Sequence, residues 1–467
     1  VDRTRRRALE LLRRFGWNAT SFQILEPGFS YWFYGNDACV AYVDTGHAWV
    51  VAGAPIASTN MLSQVADRFV SEARTRHRRV VFFATENRFA TVTKLDSILI
   101  GEQPIWQPSD WDSVVHSVKS LREQMRRASS KQVVIRRLLP SPTSPLALER
   151  EAVEALIAQW VGGKSIPALH FLVDLHPFSF FSERRYYVAT YGEKYVGFAA
   201  VVPIFERNGW FIENLIRSRD APNGTMELLV DATMRDAAAS GSEFVTLGLV
   251  PLAGAVESWL RAARKYGSVL YNFSGLEAFK AKFRPNEWCP IYLTYPREQS
   301  GFLAVYDSLV AFANGGLLLF GLRALLWGPG IVLRTLAVLS VPWALLIASA
   351  DSARWFPSPF VKWAWVLFDI GICAALMSMF TRFRRILASA VIALVAIDAL
   401  TTTVQAWLFN FPRVRHWSEY LILLIGIAAP WFATVVLWNV RQRTLRASGR
   451  PNALMGLEWT GSKSTSE

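Results

Sequence analysis

The chain of 467 residues is long enough for two or three domains, is 52% hydrophobic and carries a formal net charge of +13. Its three cysteines (Cys39, Cys289, Cys373) are scattered without metal-ligand spacing, which argues against a disulfide framework or a metal site and suits a reducing cytosolic face. Arginine clusters at 3–7, 126–127, 382–385 and 441–450 suit anionic lipid headgroups or RNA; no DNA-reading motif accompanies them.

No apolar run precedes Phe15, so no signal peptide is expected. Ala38–Asp44 and Ala48–Gly53 alternate as strands about Thr45-Gly46-His47. A helical run (Met61–Arg76), strands Val80–Ala84 and Ile98–Trp106, and a helix (Trp111–Ala128) follow. Pro140, Pro142 and Pro145 punctuate a linker. The order then recurs. Tyr186–Tyr191 and Tyr195–Phe205 meet at Gly192-Glu193-Lys194, strand Trp210–Arg217 leads to helix Met226–Ser240, and strand Phe244–Leu249 follows. A helix (Val256–Tyr266), a short strand (Val269–Phe273) and a helix (Leu276–Phe283) complete it. Residues 37–130 and 186–285 thus read as a repeat of mixed sheets flanked by helices.

Beyond Pro296 long apolar stretches dominate, so a membrane part is expected. Ile331–Ala350, Val361–Phe380, Ile386–Leu408 and Tyr420–Val440 each have the roughly 20 residues a span needs. Arg382, Arg384 and Arg385 between the second and third, with Arg441, Arg443, Arg446 and Arg450 after the fourth, put both ends of the bundle in the cytoplasm. Arg413 and Arg415 pull mildly the other way. Phe302–Trp327, interrupted by Asp307, Asn314 and Arg323, is expected to lie in the membrane interface; a fifth span would instead put the soluble part outside. Asp369 and Asp398 fall inside spans, where a carboxylate is either functional or bonded between helices.

The segment Asp220-Ala-Pro-Asn-Gly-Thr-Met-Glu227 joins a strand to an amphipathic helix. Pro222 and Asn223 break the strand, Gly224 lets the backbone turn, and Thr225 or Asn223 caps the helix. Such a turn aims amides and a positive helix end at one spot, which suits a carboxylate, a phosphate or an oxyanion. An ordinary capped turn has the same residues.

This segment resembles the C-terminal synthase domain of the lysylphosphatidylglycerol synthases, the multiple peptide resistance factor family. So do the runs Tyr271-Asn-Phe-Ser-Gly-Leu-Glu-Ala-Phe-Lys-Ala-Lys-Phe283, Ala41-Tyr-Val-Asp-Thr-Gly46 and Trp49-Val-Val-Ala-Gly-Ala-Pro55, over roughly residues 10–300. The resemblance implies an α/β (α+β mixed-sheet) fold with tandem GNAT-like acyltransferase domains at 1–139 and 146–300. An interfacial helix at 301–330, an all-α bundle at 331–441 and a basic, disordered tail at 442–467 would complete the chain. It also implies a bacterial inner-membrane enzyme that moves an amino acid from aminoacyl-tRNA to phosphatidylglycerol or a similar lipid, with no cofactor and with a homo-oligomer compatible. Two departures stand out. The spans follow the synthase part instead of preceding it, and no Arg/Gln-x-x-Gly-x-Gly loop is present to hold the pyrophosphate of a CoA thioester.

Acyl transfer from an ester to an alcohol needs a proton acceptor, oxyanion stabilisation and alignment. Asp220 is the candidate for binding the donor's α-ammonium or orienting the hydroxyl, or else a helix-cap carboxylate; Glu213 is the second catalytic carboxylate, or equally a strand residue pairing with arginine; Asn223 with the amides of Gly224 and Thr225 is the candidate oxyanion or phosphate contact. Glu227, Asn272, Lys280 and Lys282 are candidate substrate contacts. The two lysines lie about 200° apart on a helix, so only one faces the site. Arg122 and Arg126 share a helix face and suit the phosphates of RNA or lipid. His170 and His176, with Asp174 between them, have no serine elbow or metal spacing nearby and read as structural. An acyl-CoA or acyl-carrier-protein dependent enzyme making an amino-acid lipid, and a non-catalytic membrane scaffold, are the competing readings.

Overall fold

The computed structural model describes residues 2–138, 146–162, 171–173, 176–267, 273–313, 316–317, 329–378 and 385–447. Two compact units result, 1–161 with 168–317, and 162–167 with 318–467.

In the first unit α1 (Arg3–Phe15) buries Ala8, Leu11 and Leu12 on one stripe. Strands β1 (Ser30–Tyr34), β2 (Ala38–Asp44) and β3 (Ala48–Ala52) form an antiparallel meander. Helix α2 (Leu62–Thr75) buries Leu62, Val65, Ala66, Phe69 and Ala73 and delivers β4 (Arg79–Thr85) parallel to β3. Next come α3 (Asn87–Val92), β5 (Asp96–Trp106), α4 (Trp111–Ser117) and α5 (Lys119–Ser130). The single helix expected over Trp111–Ala128 is therefore two, because Val118 takes an extended conformation between them. Strand β6 (Val133–Leu138) and α6 (Leu146–Gly162) lead to the second half.

There β7 (Arg185–Tyr191), β8 (Lys194–Ile204) and β9 (Gly209–Arg217) form the corresponding meander, and α7 (Thr225–Ala239) delivers β10 (Phe244–Thr246) parallel to β9. Short β11 (Val250–Pro251), α8 (Ser258–Gly267), α9 (Phe273–Ala281), β12 (Glu287–Tyr295) and α10 (Gly301–Ala313) follow. The repeated order of elements is as expected, a mixed α/β architecture of GNAT-like halves. The linker at 139–145 and most of the short strand expected at Val269–Phe273 lie outside the described residues.

Among the described residues all twelve strands belong to one sheet, in the order β1-β2-β3-β4-β12-β5-β10-β9-β8-β7-β6, with β11 on β5. The two halves exchange their last strands. β5 pairs with β10 of the second half, β12 pairs with β4 of the first, and β5 and β12 pair with each other. Side chains lock the exchange: Trp106 donates to the Phe283 carbonyl at 2.9 Å, and the Thr85 and Thr294 hydroxyls bond at 2.7 Å. Neither half can unfold without removing a central strand from the other.

Helix α10, the described part of the segment expected to lie in the membrane interface, packs one of its faces on the sheet. Its Ala304, Asp307, Ser308 and Ala311 are buried, and both Asp307 oxygens accept from Arg79 at 2.7 Å. The carboxylate read as an interruption of an apolar run is instead the anchor of a packed helix.

The second unit contains α11 (Pro329–Ser349), α12 (Pro359–Ser378), α13 (Arg385–Gln405) and α14 (Trp417–Ala447). Pro359–Ser378, Ile386–Arg413 and Trp417–Asn439 are long and apolar enough to cross a membrane, and α11 has an apolar stretch at Thr335–Ser349. Their outward side chains, among them Leu367, Trp407 and Phe432, are exposed, as lipid-facing residues are. Asp398 accepts from Thr402 at 3.0 Å, a local bond within one helix. Arg382, Arg384 and the tail beyond Ala447 lie outside the described residues.

Candidate active site

The second half contains a splay between parallel strands. β9 pairs with β8 as far as Arg217, but its pairing with β10 stops at Phe211 and Thr246. Beyond that point one edge of β9 has no ladder partner, which is where a substrate can reach backbone donors and acceptors. Lys280 holds the far side of the splay. Its ammonium is buried and donates to the carbonyls of Leu247, Gly248 and Leu249 at 2.7, 2.8 and 3.1 Å. All three of its protons are used, so the expected phosphodiester contact is corrected: Lys280 shapes the chain after β10. Burial pushes its pKa down to about 7, against three carbonyls that favour the charged form.

On β9 itself, Asn214 lies opposite Ala200 and Ile212 opposite Val201, leaving Glu213 as the extra residue of a β-bulge. Its carboxylate pairs with the fully buried Arg184, which also pairs with Glu26 and donates from Nε to the Ser179 carbonyl at 2.8 Å. Glu26 accepts from the Ser179 hydroxyl at 2.6 Å, and burial raises its pKa in spite of Arg184. Two carboxylates about one guanidinium form a rigid post behind the splay. Glu213 is thereby corrected from a catalytic carboxylate to a positioning one. Asn214 Oδ1, Ser218 Oγ and Glu26 Oε2 are buried without a hydrogen-bond partner.

The turn after β9 has the expected form, with a different consequence. Gly224 adopts φ +100, and a Cβ there would overlap the Gln124 carbonyl oxygen and lie 3.1 Å from the Ala128 Cβ. Helix α5 therefore sits directly on the start of α7. The Thr225 amide and hydroxyl both go to the Pro222 carbonyl, at 3.2 and 2.7 Å, and Thr225 is fully buried. The first turn of α7 is thus covered, and the Thr225 amide is not available to an oxyanion. Glu227 is spent on Lys282, whose ammonium also lies 4.2 Å from the Phe279 ring centroid. The two lysines face different ways, as expected.

Asp220 and Asn223 remain exposed on this turn, and neither side chain makes a hydrogen bond among the described residues. Arg217 and Arg219 are exposed next to them in the chain; Arg126 is also exposed, but it lies two positions from both Gln124 and Ala128, the residues that meet Gly224, and so about 200° round α5 from the turn. Arg122 behaves differently from Arg126. It folds back onto the Val115 and His116 carbonyls at the end of α4, whereas Arg126 reaches only Glu123, at 3.1 Å. Asn272, His170 and Asp174 lie outside the described residues, and His176 is exposed.

Sequence reasoning missed Arg184, Glu26 and Asn214, since a charged or amide residue read alone looks like surface. A second polar centre was also missed, in the first half. Glu86 is buried against Arg207 (3.1 Å), Gln103 (3.2 Å) and Trp17 (3.3 Å), and burial raises its pKa. A groove of about 300 Å³ has none of these residues in its wall; Ile98, Trp259, Tyr295 and Phe302 are among those that line it.

The family described as phosphatidylglycerol lysyltransferase, C-terminal, matches residues 9–295. A phosphatidylglycerol lysyltransferase of Bacillus subtilis (strain 168) is 34% identical over 114 residues, 22% of this chain and 13% of its own length. Among solved structures, L-PGS from Bacillus licheniformis is 21% identical with a TM-score of 0.56, over 66% of this chain and 96% of that one. A C-terminal domain (DUF2156) from Agrobacterium fabrum, carrying the name lysylphosphatidylglycerol synthetase, is 20% identical with a TM-score of 0.57, over 67% of this chain and 98% of that one. These structural likenesses show the fold. The match over residues 9–295, more than half of the chain, shows that it belongs to the phosphatidylglycerol lysyltransferase C-terminal family.

Proposed function

We propose that this chain transfers an aminoacyl group from aminoacyl-tRNA to a glycerol hydroxyl of phosphatidylglycerol, or a similar lipid, at the cytoplasmic leaflet of the bacterial inner membrane. The lipid hydroxyl attacks the ester carbonyl, and its proton leaves as the new C–O bond forms. The tetrahedral oxyanion then collapses, breaking the bond to the tRNA ribose oxygen, which takes up a proton. One ester replaces another, and no enzyme-bound intermediate is needed. Asp220 holds the donor's α-ammonium, and the Asn223 side-chain amide, with the Gly224 backbone amide beside it, is the donor for the oxyanion. Glu213, Arg184 and Glu26 keep the bulged strand in place behind them.

The observation that carries the donor class is the seat of α5 on Gly224. It covers the start of α7, where a CoA pyrophosphate would need free amides, and exposed Arg217 and Arg219 stand next to the turn in the chain. An aminoacyl-tRNA, which needs no pyrophosphate seat at that helix start, fits the covered turn better than a CoA thioester. The test is purified full chain with charged tRNA and phosphatidylglycerol vesicles. An aminoacyl lipid that disappears on ribonuclease treatment is expected. Product from an acyl thioester without tRNA would favour the competing acyltransferase, and no product from any charged tRNA would count against the proposal.

A further inference from the structure

We infer that the outer face of α10, together with Trp259, is a membrane-docking face of the first unit that seats on the acyl region of a phospholipid bilayer. The helix divides cleanly. Ala304, Asp307, Ser308 and Ala311 face the sheet, while Phe302, Leu303, Tyr306 and Leu309 are exposed, Phe302 to 67% and Leu309 to 50%. Spacings of i, i+1, i+4 and i+7 put these four large apolar side chains on one face, and a soluble surface rarely carries such a stripe without a partner.

The stripe is not able to turn inward. Asp307 is buried and held by Arg79 through two bonds of 2.7 Å, and Phe312 packs on Phe83 with ring centroids 5.1 Å apart. Rolling the helix would leave Asp307 or Arg79 buried and unpaired, at a cost that favours the observed face. Gly301 fixes the start of the helix, since a Cβ there would lie 2.6 Å from the Tyr295 hydroxyl and would also strike Ile98. That close approach shapes the groove of about 300 Å³ between Trp259, Phe302, Ile98 and Tyr295. The Trp259 and Phe302 rings lie 6.1 Å apart between centroids, tilted by 52°, so the mouth is aromatic.

Two observations select the bilayer as occupant. Residues 314–328 are all that separates α10 from α11, the first of the apolar helices. A connection of that many residues cannot exceed about 55 Å, so the chain length itself ties this face to the apolar helices. Phe302, Tyr306 and Trp259 are also the residue types that settle at the level of lipid headgroups and upper acyl chains. Lipid docking does not depend on which donor the enzyme uses.

The test places the photoreactive residue benzoylphenylalanine at Phe302 or Leu309, or at exposed Asp67 of α2 as a control, in the full chain reconstituted in phosphatidylglycerol and phosphatidylcholine nanodiscs. Phospholipid adducts several-fold more abundant at 302 and 309 than at 67 are expected. Adducts to the chain's own helices 359–447, adducts to a second copy, equal lipid labelling at all three sites, or no lipid adduct would each overturn the inference. A Phe302→Asp, Leu309→Asp double variant, which leaves the Asp307–Arg79 pair untouched, should lower lipid labelling from a probe at Tyr306 several-fold. Unchanged labelling there would also overturn it.

Discussion

Gly224→Ala tests whether α5 truly closes the start of α7. Two costs add at this position. An L residue at φ +100 is strained by about 1–2 kcal/mol. The new Cβ also overlaps the Gln124 carbonyl oxygen and presses on the Ala128 Cβ, overpacking that typically costs about 1–3 kcal/mol. The sum is about 2–5 kcal/mol. Gly28 is a matched control, because its φ is +99 and nothing lies within 4 Å of a Cβ there. Gly28→Ala should show only the strain, about 1–2 kcal/mol. Thermal unfolding of the full chain in detergent should lower the apparent Tm of the first unit by roughly 4–10 °C for Gly224→Ala and by clearly less for Gly28→Ala. Hydrogen exchange of the amides of residues 218–232 should rise only in the former. Equal shifts for the two variants would refute the seating of α5 on the turn, and the argument against a CoA-type donor would go with it.

Arg184→Met should destabilise the first unit by about 3–5 kcal/mol, since Glu26 and Glu213 are left as buried unpaired carboxylates. Adding Glu26→Gln and Glu213→Gln should recover much of that loss in denaturant melts; no recovery would show the cost lies elsewhere. Lys280→Met orphans three carbonyls, at about 1–3 kcal/mol for each one left dry, whereas Lys282→Met leaves one partner, the buried Glu227 carboxylate, and should cost less than the three together. The folded pKa of Lys280, about 7, lies below the unfolded value near ~10.4, so the stability linked to its titration is present above ~10.4 and lost as pH falls toward 7. The deficit of Lys280→Met relative to the native chain should therefore widen as pH is raised from 7 to about 10, read from denaturation midpoints; a constant deficit would mean the lysine stays charged throughout. Asp220→Asn, at an exposed position, should leave stability within about 0.5 kcal/mol while abolishing the aminoacyl lipid in the tRNA assay. Full product from a folded Asp220→Asn protein would remove Asp220 from the site and favour a binding role for this turn.

The local elements were legible in the sequence because local rules make them. Alternation marked β2, β3, β7 and β8, helical spacing marked α2 and α7, and proline and glycine marked the turn at 220–225. The change to continuous apolar runs marked the helices after 329. What no local rule could supply was the partner of each element. The strand exchange of β5 and β12 joins residues about two hundred positions apart, and no period in the chain encodes that choice. Lys280 read as a candidate substrate contact because its three carbonyl partners come from a segment some thirty residues earlier, and Asp307 read as a flaw in an apolar helix because Arg79 lies on a strand 228 positions away. A charge is exposed by default and becomes structural only when folding brings it a buried partner, so the site's supporting residues emerged from tertiary packing while its turn was already visible in the chain.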